Sequence, residues 1–239
     1  MHTRSDFLAT GTLAMLTPAL AGATSPSPSS SPSPSPKPSS EPTIPPLAFD
    51  LAGFDATLNV AAAHRHVFAS TKVDGGIVLG AMRNTLNAYA DVGIALHDVF
   101  PVAVLYHGAS VMLAFDDAMW KEYFIPLHAK PMKNAEFAKD FDSIYDAKTH
   151  GNPCLHKKGG HEDISIESLI ADAGAHFFVC NNATKGFAEF LATRFKKKSL
   201  TVYHDLAAHL VPNASLVPAG VWAVLAIQER KYTLLQTSL

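Results

Sequence analysis

Cysteine is scarce in this chain, with Cys154 and Cys180 the only two among 239 residues. Two thiols cannot form the disulfide framework on which small exported domains rely. An excess of either charge is also missing: 19 Lys and Arg stand against 21 Asp and Glu, a formal charge of −2. That balance offers no field for nucleic-acid phosphates, so no nucleic-acid partner is expected. Beyond the N-terminus there is no apolar run long enough to hold a mature chain in a bilayer. A phosphate loop is absent too. Gly75-Gly76 has neither the P-loop lysine nor G-x-G-x-x-G spacing, and no cofactor is expected.

The two ends of the chain carry different information. In MHTRSDFLATGTLAMLTPALAGA, residues 1–23, Arg4 precedes an apolar stretch from Phe7 to about Ala21, with small residues at signal-peptidase spacing. This is the layout of a cleaved export signal, and it places the protein in the periplasm or cell envelope. Thr3-Arg4-Ser5-Asp6-Phe7-Leu8 is close to a twin-arginine signal with Ser5 where the second arginine would stand. The twin-arginine and general secretory routes both stay open. Residues 24–46 are dominated by Ser and Pro, which supply no core and favour an extended tether. Residues 47–239 are left, a length that suits one domain.

Within that domain, strand and helix signals alternate. Residues 65–70 read as a short strand, and 76–92 as a helix with apolar side chains at Ile77, Leu79, Met82, Leu86 and Tyr89. Pro101–Tyr106 is a continuous apolar run, the pattern of a strand covered on both faces. A helical stretch follows His107-Gly108 through Asp116 to Phe124, and 126–164 is the least regular part of the chain. Ser165 opens a helix that Gly174 stops. Then come a strand at 176–180, a helix from Thr184 to about Lys197, a shorter helix at 205–210, a strand at 214–217, a helix at 221–230 and a strand at 232–236. Alternation of this kind predicts a three-layer α/β/α domain around a mostly parallel sheet of about five strands, with Rossmann-like topology.

Three stretches, YHGASV (106–111), FFVCNNA (177–183) and LVPAGVWAVLAIQERKYTLL (216–235), resemble the DsrE-like family in motif, order and separation. Pro218, Ala219, Gly220, Gln228 and Tyr232 fall in register with that family's C-terminal pattern. The chain departs from it at Lys231, where glycine is expected, and in a longer insertion at 133–164. The resemblance implies a small homo-oligomeric protein of sulfur metabolism. Such proteins carry persulfide sulfur on a strand-end cysteine and pass it between partners without metal or nucleotide. The matching cysteine is Cys180.

The residues point the same way on independent grounds. In an open parallel sheet, functional groups gather where strands hand over to helices. Cys180 sits at such a junction, and a helix N-terminus favours the reactive thiolate. His107 ends another strand and would face the same edge, where a Cys–His pair activates sulfur. Asn181 and Asn182 either present their amides to that crevice or simply accept a tight turn. For Cys154, two readings compete with a plain loop. One is a disulfide with Cys180, structural or resolving; the other is a zinc or copper site with His156 and His161. The basic run at 194–198 reads as a solvated helix end. Two functions remain: thiol or sulfane-sulfur handling at Cys180 with a protein or small sulfur compound as partner, or a non-catalytic oligomeric binding module in which Cys180 only packs.

Overall fold

The apolar run that begins before Pro101 forms β2 (Val99–Leu105), buried at every position. Two parallel neighbours flank it, β1 (His64–Ser70) and β3 (His176–Cys180), in the registers Val67↔Val102 and Val104↔Phe178. β4 (Ala214–Val217) pairs with β3, and β5 (Thr233–Gln236) returns to the far side of β1. The order is β4-β3-β2-β1-β5 with every pair parallel, so the expected sheet is fully rather than mostly parallel. Pro101 falls one residue before β3 begins to pair at Val102↔His176, in the least-paired part of the strand. These features come from a computed structural model that describes residues 43–132, 134–145, 148, 150–160 and 163–237. The expected export signal, most of the Ser/Pro tether and His161 lie outside the described residues.

Period-two alternation sorts the strand side chains into two cores. Phe68, Ala103, Leu105, Phe177 and Val179 point to the larger one, beneath α2 (Ile77–Asp91), α6 (Ile166–Ala173), α7 (Asn181–Phe195) and α8 (Ser199–Ala208). Val67, Val102, Val104, Phe178 and Val217 point to the smaller one, covered by α1 (Leu51–Leu58) and α9 (Gly220–Glu229). The domain therefore has three layers, α/β/α. Successive crossovers run outward from β1 to β4, whereas the β4–β5 crossover runs back. Right-handed crossovers therefore set α9 on the opposite face from α7. The loops after β3 and β4 leave in opposite directions, so the switch point of the topology lies between those two strands.

Several boundaries differ from the expected ones for local reasons. α7 starts at Asn181 rather than Thr184, because Cys180 caps it directly and no turn intervenes. α8 starts at Ser199, well before Asp205. The helical stretch after His107 breaks in two. A tight helix (Gly108–Ala114) ends at the extended Phe115-Asp116, and Asp116 then caps α3 (Asp117–Met119), which runs on through a wide turn into α4 (Ile125–His128). The insertion also holds a helix, α5 (Ala135–Asp142), whose N-cap Asn134 accepts the Phe137 N–H at 3.0 Å. α1, capped by Asp50, carries no strong sequence signal.

The insertion is tied down on both sides. Buried Arg83 of α2 donates to the Asp163 carbonyl at 2.9 Å, to Ser168 Oγ at 3.0 Å and to Asp172 Oδ2 at 2.8 Å. Burial alone would raise the Asp163 carboxyl. Instead, N–H donors from Ser165, Gly159 and Lys158 hold it well below the usual carboxylate range.

Candidate functional site

Cys180 is at once the last residue of β3 and the N-cap of α7. Its Sγ accepts the Ala183 N–H at 3.4 Å, and its carbonyl accepts Thr184 Oγ1 at 3.0 Å. A sulfur here does what a capping serine oxygen does, meeting one of the helix's orphan donors. The residue is 5% exposed and borders a cavity of about 920 Å3.

His107 borders the same cavity. Because Leu105 pairs with Val179, Tyr106 lies level with Cys180 and His107 one step beyond. Ser110 fixes this turn, with Oγ 2.8 Å from the His107 carbonyl and 3.1 Å from the Ser70 carbonyl of β1. The exposed His107 also borders a second cavity of about 370 Å3 beside Thr71, Lys72 and Asp140. Gly108, Asn134 and Phe137 are likewise common to both cavities, so one continuous cleft crosses the carboxyl ends of β1, β2 and β3.

α5 walls this cleft. Its Asp140 carboxylate accepts the N–H groups of Val73 at 2.9 Å and Asp74 at 2.7 Å, and Ser143 Oγ accepts that of Gly75 at 2.7 Å. The Gly75-Gly76 turn thus has its amides filled from within the chain.

The two asparagines part company, because neighbouring positions on a helix face different ways. Asn182 borders the cleft. Asn181 is buried and accepts the Tyr203 hydroxyl at 2.7 Å, so its amide anchors α7 to α8 and is not a crevice group.

Cys154 stands apart from this site. Both cysteines are free thiols, and they border cavities that share no residue. The disulfide alternative is therefore not what the structure holds. Cys154 is pinned elsewhere by its N–H on Asn152 Oδ1 at 2.9 Å and by its carbonyl, which accepts the Ile166 N–H at 2.9 Å. Its Sγ faces Gly76, 3.6 Å from where a β-carbon would stand. Burial pushes this thiol up to about 11, with Lys158 opposing weakly.

Of the metal alternative's residues, His161 lies outside the described ones, and His156 is engaged by two carboxylates. Its Nε2 meets Asp117 Oδ2 at 2.9 Å and its Nδ1 meets Glu167 Oε1 at 3.1 Å. The Asp117 hydrogen bond, then that to Glu167, outweighs desolvation and raises the imidazole above its ordinary value. Both ring nitrogens therefore already have carboxylate partners with which a metal would have to compete. Among the described residues no group of three His, Cys, Asp or Glu side chains could hold a metal ion.

The sequence reading missed the cleft's apolar wall and its far end. Phe187 and Phe190 of α7 border it, and so does Arg194, which reads as part of a solvated basic run. Arg194 donates to the Pro131 carbonyl at 2.8 Å and stacks on Phe190 at 5.2 Å. The available signal was spacing, since Cys180, Ala183, Phe187, Phe190 and Arg194 recur every three or four residues.

Fold and site together define a parallel α/β/α domain with a thiol at the head of a deep cleft. No family model matches the chain. No curated protein matches it either. Among solved structures it is similar to a protein of unknown function from Methanobacterium thermoautotrophicum. The two are 14% identical over 72% of this chain and 98% of that one, with a TM-score of 0.34. No helix among the described residues is long and apolar enough to cross a membrane.

Proposed function

We propose that this is an exported DsrE-like protein that accepts sulfane sulfur on Cys180. One observation carries the reading: Cys180, whose sulfur caps α7, borders a roughly 920 Å3 cleft together with His107. The Ala183 N–H and the positive end of α7 favour the negative charge that sulfur carries when it attacks. The step is Cys180–SH plus R–S–SH giving Cys180–S–SH plus R–SH. Cys180 attacks the outer sulfur, the R–S to S bond breaks, and no net oxidation occurs. His107 takes the thiol proton and returns it to the departing sulfur. Cys154, shut in another cavity, has no part in this, so the persulfide passes to an external thiol.

Exposure to polysulfide followed by peptide mass spectrometry tests the reading. Cys180 is expected to gain one sulfur atom, and His107→Gln to slow the gain about 100-fold. Equal gain by a Cys180→Ala variant overturns it.

A second reading, an oligomeric binding module with a structural cysteine, is favoured by one observation. Val221 and Leu225 of α9 are each 62% exposed, one turn apart. Burying such a strip suits a second copy of the chain. Sedimentation of Leu225→Lys against the unmodified chain tests it, with a shift to smaller species expected and an unchanged mass fatal.

A further inference from the structure

The cleft has a direction. Cys180, Gly186, Phe187, Phe190 and Arg194 lie along one side of α7, and all of them border the larger cavity. At 1.5 Å per residue, the 14 steps from Cys180 to Arg194 span about 21 Å. Sulfur marks one end and a guanidinium the other. Between them the walls are largely apolar, Phe187 and Phe190 on α7 and Phe137 across on α5.

Two details fit a cleft that takes a ligand. A β-carbon at Gly186 would meet nothing within 4 Å. Glycine inside a helix costs about 1 kcal/mol relative to alanine, so α7 gives up stability at a position where a side chain would intrude on the cleft. At the far end, Arg194 gives one N–H to Pro131, and among the described residues no carboxylate pairs with it. A guanidinium has five donors, and its stacking on Phe190 holds the plane at the rim.

We infer that the cleft takes a long amphiphile: an extended apolar chain with an anionic group bound by Arg194 and its reactive sulfur delivered to Cys180. This rests on the reading of Cys180 as the sulfur acceptor, but the binding half stands on its own geometry. Charge complementarity selects the anion at one end, and the aromatic walls select an alkyl chain over a hydrophilic sulfur carrier.

Dansyl-aminoundecanoate, an apolar chain with a carboxylate at one end, is the probe, and its methyl ester is the neutral control. Binding to the full chain carrying Cys180→Ser, which cannot accept sulfur, is read from the rise in dansyl fluorescence. Saturable binding is expected. Arg194→Met should weaken the acid about tenfold and leave the ester unchanged. Gly186→Leu, whose β-carbon meets no neighbour, should weaken both more than tenfold, with its urea midpoint confirming an intact fold. Absence of saturable binding, an acid affinity indifferent to Arg194→Met, or indifference to a folded Gly186→Leu each overturns the inference. If this pattern holds but Cys180 of the unmodified chain never gains sulfur, the sulfur-acceptor reading falls alone. If Cys180 gains sulfur but the pattern fails, the amphiphile falls alone.

Discussion

Cys180 and Cys154 are the same side chain in two surroundings, and the more exposed residue is the less available thiol. Cys154 is partly exposed, but its sulfur turns inward against Gly76 and burial pushes it up to about 11. Cys180 is only 5% exposed, yet its sulfur meets a helix N–H and the residue borders a cleft. Residue exposure is therefore a poor guide to reactivity. Open volume beside the sulfur and a donor aimed at it matter more.

The largest expected effect is on alkylation. With iodoacetamide near neutral pH, Cys180 of the folded protein is expected to react at least ~100-fold faster than Cys154, because a thiol near 11 is on the order of one part in a thousand thiolate at pH 8. Equal rates, read by peptide mapping, would erase the contrast between the two sites. Next comes Gly220→Ala. The added β-carbon would lie 1.6 Å from the Tyr106 β-carbon and 2.7 Å from its α-carbon, so backbone must move beneath the cleft. A loss of about 3 kcal/mol in urea unfolding is expected, with Cys180 alkylation changed and Cys154 alkylation not.

The strand that delivers Cys180 supplies a pH test. Burial pushes His176, at the other end of β3, down to about 4 from 6.5. Above 6.5 the ring is neutral in both folded and unfolded chains. As pH falls from 6.5 to about 4, the unfolded chain binds the proton ahead of the folded one, and stability drops by about 3 kcal/mol. His176→Gln, which keeps a partner for Ser215, should flatten that fall in urea midpoints. The smallest effect belongs to Cys154. Its raised thiol contributes stability below its ordinary 9.0 that is lost as pH rises toward 11. Cys154→Ala should remove that part of the alkaline slope, and an unchanged slope would show that the sulfur is not shut in.

Much of the scaffold was legible. The run through β2 carried its double burial in composition alone, and Ser165 and Gly174 marked both ends of α6, with Gly174 in the left-handed conformation such an end requires. What escaped notice was local structure stabilised from a distance. α5 is amphipathic through Phe137 and Phe141, but charges and flanking prolines mask it, and its Asp140 matters only because the amides of Val73 and Asp74 lie opposite. Cys180 could be placed at a strand end from sequence. Its role as the cap that starts α7 without a turn could not, since cysteine is a rare cap.

Alternation of apolar strands and amphipathic helices was enough to dictate a parallel, layered sheet with a thiol at its carboxyl edge, because periodicity and capping act between near neighbours. Which cysteine faces open volume, which asparagine is buried, and that an arginine from a seemingly solvated run closes the same cleft were decided by chain segments dozens of residues apart. No local pattern encodes such meetings; the crossovers bring them about when they fold those segments onto one edge of the sheet.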